Sequence, residues 1–135
     1  MSKRLRLTRE DGADTAFVHL ALLSGAITVS EFIGWTERIV TEADDGLPDY
    51  IYEIAALNKQ TATLMDLRDA LPNVTGDVSP DEDKILMAIS VIRNPVIAGR
   101  TDEPRPLNSR SALKRLEAHP DAKARFDAFF PGILP

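Results

Sequence analysis

Apolar residues recur along this chain in steps of three and four, the spacing of one face of an α-helix. The strongest run lies between Ile27 and Ala43. Val29, Phe32, Ile33, Ile39, Val40 and Ala43 fall on one stripe of period 3.6, with Trp35, the single tryptophan, beside it. Thr28 stands at the N-cap position and Glu31 three residues on, so each side chain can satisfy a backbone N–H of the other. Ile27 and Phe32 fit an apolar staple across that start, and Gly25 suits a left-handed stop for the helix before it.

The same logic places the other elements. Asp11 or Asp14 can cap a first helix over Ala13–Ser24, whose AFVHLALL run is apolar nearly all round and predicts a buried, central element. Pro48 suits the first position of a third helix over Pro48–Leu57, with Tyr50, Ile51, Ile54, Ala55 and Leu57 as its apolar positions. Thr61 can cap a fourth helix to about Leu71, with Leu64, Met65, Leu67 and Leu71 inside. Ser79-Pro80-Asp81-Glu82 is the clearest start of all, combining a cap, proline at the first position and acids at the positive end of the helix dipole. This fifth helix buries Ile85, Leu86, Ile89 and Ile92 and ends near Arg93, before Pro95. The run from Gly99 to Asn108 reads as a loop. A sixth helix then runs from an Asn108 or Ser109 cap to Ala118, with Leu113 and Leu116 inward. A seventh opens at His119-Pro120-Asp121, takes its contacts from Ala124, Phe126, Phe129 and Phe130, and stops at Pro131-Gly132. Residues 1–10 form an arm or short edge strand, pinned by Leu5 and Leu7. The expected fold is all-α: an irregular compact bundle of about six to seven short helices, one domain over residues 1–135.

Composition fits a packed domain. The chain has 135 residues, 44% of them hydrophobic, and no cysteine, which excludes disulfide and thiol chemistry and sits easily in a reducing cytoplasm. Nothing reads as a secretory signal or as a run long enough to span a bilayer. Net charge is −5, unevenly spread. Residues 1–9 carry four bases and no acid, residues 10–90 sixteen acids and four bases, and residues 91–135 eight bases and five acids. An acidic middle argues against nucleic acid as the main ligand and suits a basic protein partner, through steering. Its densest acidic stretch with an aromatic is Glu42, Asp44, Asp45, Asp49, Tyr52 and Glu53, and these six are the candidate partner-binding residues. A solvated face that only aids solubility is the competing explanation.

Catalytic motifs are missing. No phosphate-binding glycine loop, no H-E-x-x-H and no G-x-S-x-G occurs. Two separate histidines, His19 and His119, read as a core residue and a helix-start residue. No enzymatic activity, metal or cofactor is expected. Gly25-x-Ile27-Thr28-x-x-Glu31-Phe32 resembles the second half of an EF-hand loop, but Leu20, Leu22 and Ser24 stand where calcium needs oxygen ligands.

Ser24 to Phe32, followed by Trp35, also resembles a stretch found in small helical bacterial proteins of the immunity type, the likeness extending over Ala16–Leu57. Such proteins neutralise a toxin, commonly a nuclease, by binding at its active site. The resemblance implies a non-enzymatic toxin-binding module but carries over no binding residue. With the acidic middle segment it leads to the expectation that the acidic residues around Asp44–Glu53 face a basic toxin surface. The alternative is a structural or regulatory module that self-associates as a homodimer through an apolar helix face, using Trp35.

Overall fold

A computed structural model describes residues 6–8, 10–42, 46–72, 78–93 and 109–134. The protein is all-α. Among the described residues there are seven helices and no strand: α1 (Ala13–Ser24), α2 (Val29–Glu42), α3 (Asp49–Ala55), α4 (Leu64–Ala70), α5 (Pro80–Arg93), α6 (Ser109–Ala118) and α7 (Pro120–Phe129). None of these helices is long and apolar enough to cross a membrane. The chain divides into two compact units. Unit 1 is Met1–Leu22 with Thr28–Asp77, and unit 2 is Leu23–Ile27 with Val78–Pro135.

In unit 1, α3 packs on α2 and on α4. The reciprocal cap at the start of α2 is present: Glu31 N–H donates to Thr28 Oγ1 at 3.1 Å, and Thr28 N–H to Glu31 Oε1 at 2.8 Å. The α2 stripe buries Phe32, Ile33 and Ile39. Trp35 joins them at 3% exposure, its ring edge-on to Phe32 with centroids 5.8 Å apart. This burial removes Trp35 from any surface on which a second copy could dock.

α1 starts at Ala13 as expected but with a different cap, and the starts of α3 and α4 differ from the sequence expectation. Neither Asp11 nor Asp14 caps α1. Gly12 precedes it, and the peptide of Arg6 does the capping: its carbonyl accepts the N–H groups of Asp14 (3.1 Å) and Thr15 (3.4 Å), while its own N–H donates to Asp14 Oδ2 (2.7 Å). A main-chain cap from eight residues upstream satisfies the free first-turn amides without leaving a local pattern. Pro48 sits just before α3 rather than in its first turn. α4 is capped by Thr63, not Thr61, because Asp66 lies three residues after Thr63 and completes a reciprocal pair with it. Thr61 belongs to the preceding turn, where its N–H donates to the Asn58 carbonyl. α4 is consequently short and buries only Leu67, leaving Leu64 and Met65 47% and 58% exposed.

In unit 2, α5 packs on α6 and α7, and α6 on α7. α5 opens with the expected pair: Glu82 N–H donates to Ser79 Oγ at 3.1 Å and Ser79 N–H to Glu82 Oε1 at 3.0 Å. It buries Ile85, Leu86 and Ile89, and also Ala88, Ser90 and Val91, which lie off the predicted stripe. Ile92 is only partly covered. Pro120 opens α7, and Phe126 and Phe130 are buried with ring centroids 5.3 Å apart. In α6, Ala112 and Leu116 are buried, while Leu113 is 43% exposed, against expectation. α6 offers only a narrow inward face, and the smaller alanine allows the close approach of α5. The predicted pin at Leu7 is buried. Leu5 and the Gly99–Asn108 loop lie outside the described residues.

Candidate protein-binding cleft

One cleft in unit 1, of about 610 Å³, is lined by several acidic residues. Its walls come from three places in the chain: Thr8 and Glu10 in the arm, Gly46 to Tyr50 with Glu53 at the start of α3, and Asp69 to Pro72 at the end of α4. Four carboxylates line it, those of Glu10, Asp49, Glu53 and Asp69, and no basic residue does so among the described residues. Asp49 and Glu53 are one helical turn apart and share a face. Leu47, Pro48, Tyr50, Leu71 and Pro72 add apolar surface between the charges.

Tyr50 fixes this arrangement. Its hydroxyl donates to the Leu7 carbonyl, and the Thr15 hydroxyl lies 2.6 Å away on the other side, placed to donate in turn. Burial pushes the Tyr50 phenol above its ordinary range, so it stays a neutral donor at physiological pH. With the Arg6 peptide held at the start of α1, the arm is tied at consecutive residues and holds Thr8 and Glu10 on the cleft wall.

The six residues singled out from the sequence separate in space. Asp49 and Glu53 line the cleft. Tyr52 is 45% exposed on α3 but is not part of the lining, where Tyr50 stands instead. Glu42 is exposed at the C-terminal end of α2, outside the cleft. Asp44 and Asp45 lie outside the described residues. Glu10 and Asp69 were missed. Glu10 sits in a mostly basic arm and nothing in its neighbourhood marks it. Asp69 lies three residues after Asp66, whose carboxylate is committed to the α4 cap, and nothing in the local sequence sets it apart.

A second, smaller cleft of about 320 Å³ lies in unit 2, where the starts of α5 and α7 meet. Ser79, Asp81, Glu82, His119 and Asp121 line it, with His119 Nδ1 3.6 Å from Asp81 Oδ1. Its polar groups are largely engaged in structure. Ser79 and Glu82 cap α5, and Glu82 also pairs with Arg125, whose guanidinium lies over the Phe129 ring at 5.8 Å. His119 is the N-cap residue of α7 but makes no side-chain cap bond. The other histidine, His19, lies within α1 and is half-buried, and burial lowers its pKa, favouring the neutral imidazole. No three histidine, aspartate or glutamate side chains come together to hold a metal ion among the described residues. No family model, no curated protein and no solved structure matches this chain.

Proposed function

We propose that the protein is a non-enzymatic binding module that takes a basic protein partner through the acid-lined cleft of unit 1. The observation that carries this reading is the convergence of Glu10, Asp49, Glu53 and Asp69 on one concave surface that also has apolar lining and, among the described residues, no lining base. Four like charges held together raise the local potential and speed encounter with a cationic surface. The apolar residues between them supply area that a partner can desolvate. Lysine or arginine side chains at the rim of a partner, with an aliphatic or aromatic group between them, match this layout. The likeness of Ala16–Leu57 to immunity-type proteins suggests one such partner, a nuclease toxin masked at its active site in the cytoplasm.

The test is a pull-down from the native host's lysate at low and moderate salt. Native protein is compared with the Asp49→Lys/Glu53→Lys variant and with Glu42→Lys, which reverses an exposed charge outside the cleft. A single basic partner, retained by native protein and Glu42→Lys and lost by the cleft variant, supports the reading. Equal loss with both variants, or no partner at either salt, rejects it.

A second reading is self-association through α4, favoured by the exposure of the adjacent Leu64 and Met65. Light scattering that shows a monomer at high concentration removes it.

A further inference from the structure

We propose that Leu23–Ile27 acts as a strap that makes the two units unfold together. The chain leaves unit 1 at Leu22, gives five residues to unit 2 and returns to unit 1 at Thr28. Those residues are held firmly where they are. Arg93, in the last turn of α5, donates from Nη1 to the Ala26 carbonyl at 2.9 Å, and Ala26 and Ile27 are both buried. One turn earlier on α5, the Ser90 hydroxyl is buried with no hydrogen-bond partner among the described residues, and it faces Gly25. Gly25 has φ +86°, and a Cβ there would lie 2.9 Å from Ser90 Oγ. The segment is thus matched to α5 by a bond, by shape and by a backbone conformation that suits glycine.

The helices that the strap joins belong to unit 1 over most of their length, α1 tied there by the bond between the Thr15 and Tyr50 hydroxyls and α2 by its packing on α3. Leu23 and Ser24 are also the last two residues of α1, so only Gly25, Ala26 and Ile27 separate it from the Thr28 cap of α2, a connection of roughly 10 Å at full extension. If unit 2 opens, the strap loses the contacts that fix the ends of both helices. If unit 1 opens, the strap loses the two anchors that position it. Local openings that would otherwise be independent become one cooperative event.

Native-state amide exchange on the full chain tests this, reading α2 for unit 1 and α5 for unit 2. Phe126→Leu weakens unit 2 at a buried site on α7, outside the strap. In the otherwise native chain it is expected to lower protection of the slowest amides about tenfold in α5 and by the same factor in α2. In an Arg93→Ala background the same change is expected to lower α5 protection and leave α2 within about twofold. A second uncoupling variant, four glycines inserted between Ile27 and Thr28, keeps Arg93 and lengthens the connection. It is expected to free α2 in the same way, and it serves if Arg93→Ala does not fold. Loss confined to α5 in the otherwise native chain overturns the strap. So does an equal loss in both helices after the connection is lengthened.

Discussion

The Tyr50 hydroxyl donates to the Leu7 carbonyl across 43 positions of sequence, and through that one bond a helix of unit 1 holds the arm beside it. The same hydroxyl has Thr15 as its other neighbour, so α1, α3 and the arm meet at a single oxygen. Both side chains are buried, and a polar group orphaned there would have no water to turn to.

Tyr50→Phe keeps the ring and removes the hydroxyl, leaving the Leu7 carbonyl and the Thr15 hydroxyl without that partner. The expected loss is about 1–3 kcal/mol. Urea unfolding followed by Trp35 fluorescence measures it, and amide exchange at Thr8 and Glu10 should quicken at the same time. A midpoint equal to that of native protein would mean that the arm is not held by this bond.

Acid should act on unit 2 through Glu82. Burial alone would raise its carboxyl pKa, but the Ser79 N–H and the Arg125 guanidinium outweigh burial and hold it below the usual range. A carboxyl that is more acidic folded than unfolded stabilises the fold above its unfolded value, near 4.3 for glutamate, and that stabilisation is lost as pH falls through the folded value. Glu82→Gln should therefore be less stable than native protein near neutrality and lose less on acidification. Thermal midpoints by circular dichroism across a pH series give the comparison, and parallel curves would rule out this origin.

The four carboxylates of the cleft make a prediction about salt. For an identified basic partner, Asp49→Lys/Glu53→Lys should slow association at least tenfold at low ionic strength and leave dissociation far less changed. The difference should shrink as salt rises, because screening shortens the reach of exposed charges. Stopped-flow association at several salt concentrations checks this. A partner whose association rate ignores both salt and these substitutions binds elsewhere.

Gly25 and Ser90 should couple energetically. Gly25→Ala carries both a left-handed backbone penalty of about 1 kcal/mol and the close contact with Ser90 Oγ. Ser90→Ala removes an unpartnered buried hydroxyl and should be neutral or mildly stabilising. The double variant should recover the steric part and retain the backbone part. Denaturation of all four proteins gives the cycle, and strict additivity would show that the two residues do not touch.

How much of this was readable from the sequence follows the range of the interactions. Thr28 with Glu31 and Ser79 with Glu82 are three residues apart, and the starts of α2 and α5 could be placed from them. The first helix was delimited at its far end by Gly25, whose positive φ matches its predicted role. Its start at Ala13 also falls where it was expected, but the capping group was misassigned, because the cap is the Arg6 peptide and a main-chain group carries no residue signature. Leu113 was placed inward from periodicity alone, which gives a face but not how close the neighbouring helix comes. Of the cleft, the Asp49–Glu53 pair was visible as one helical turn. Glu10 and Asp69 reach it through the tertiary bonds of Tyr50 and the packing of α3 on α4, which residue spacing does not encode.

The burial of Trp35 against Phe32 also decides what a spectroscopist would see. The chain has one tryptophan and two tyrosines, and all three lie in unit 1. Intrinsic fluorescence and near-ultraviolet dichroism therefore watch half of the molecule, while the phenylalanine-only half, with Phe126, Phe129 and Phe130, melts almost in the dark. A single optical transition in this protein is a report from unit 1. A tryptophan placed at Phe129 would give the other half a voice, and two coincident curves would then mean something that one curve does not.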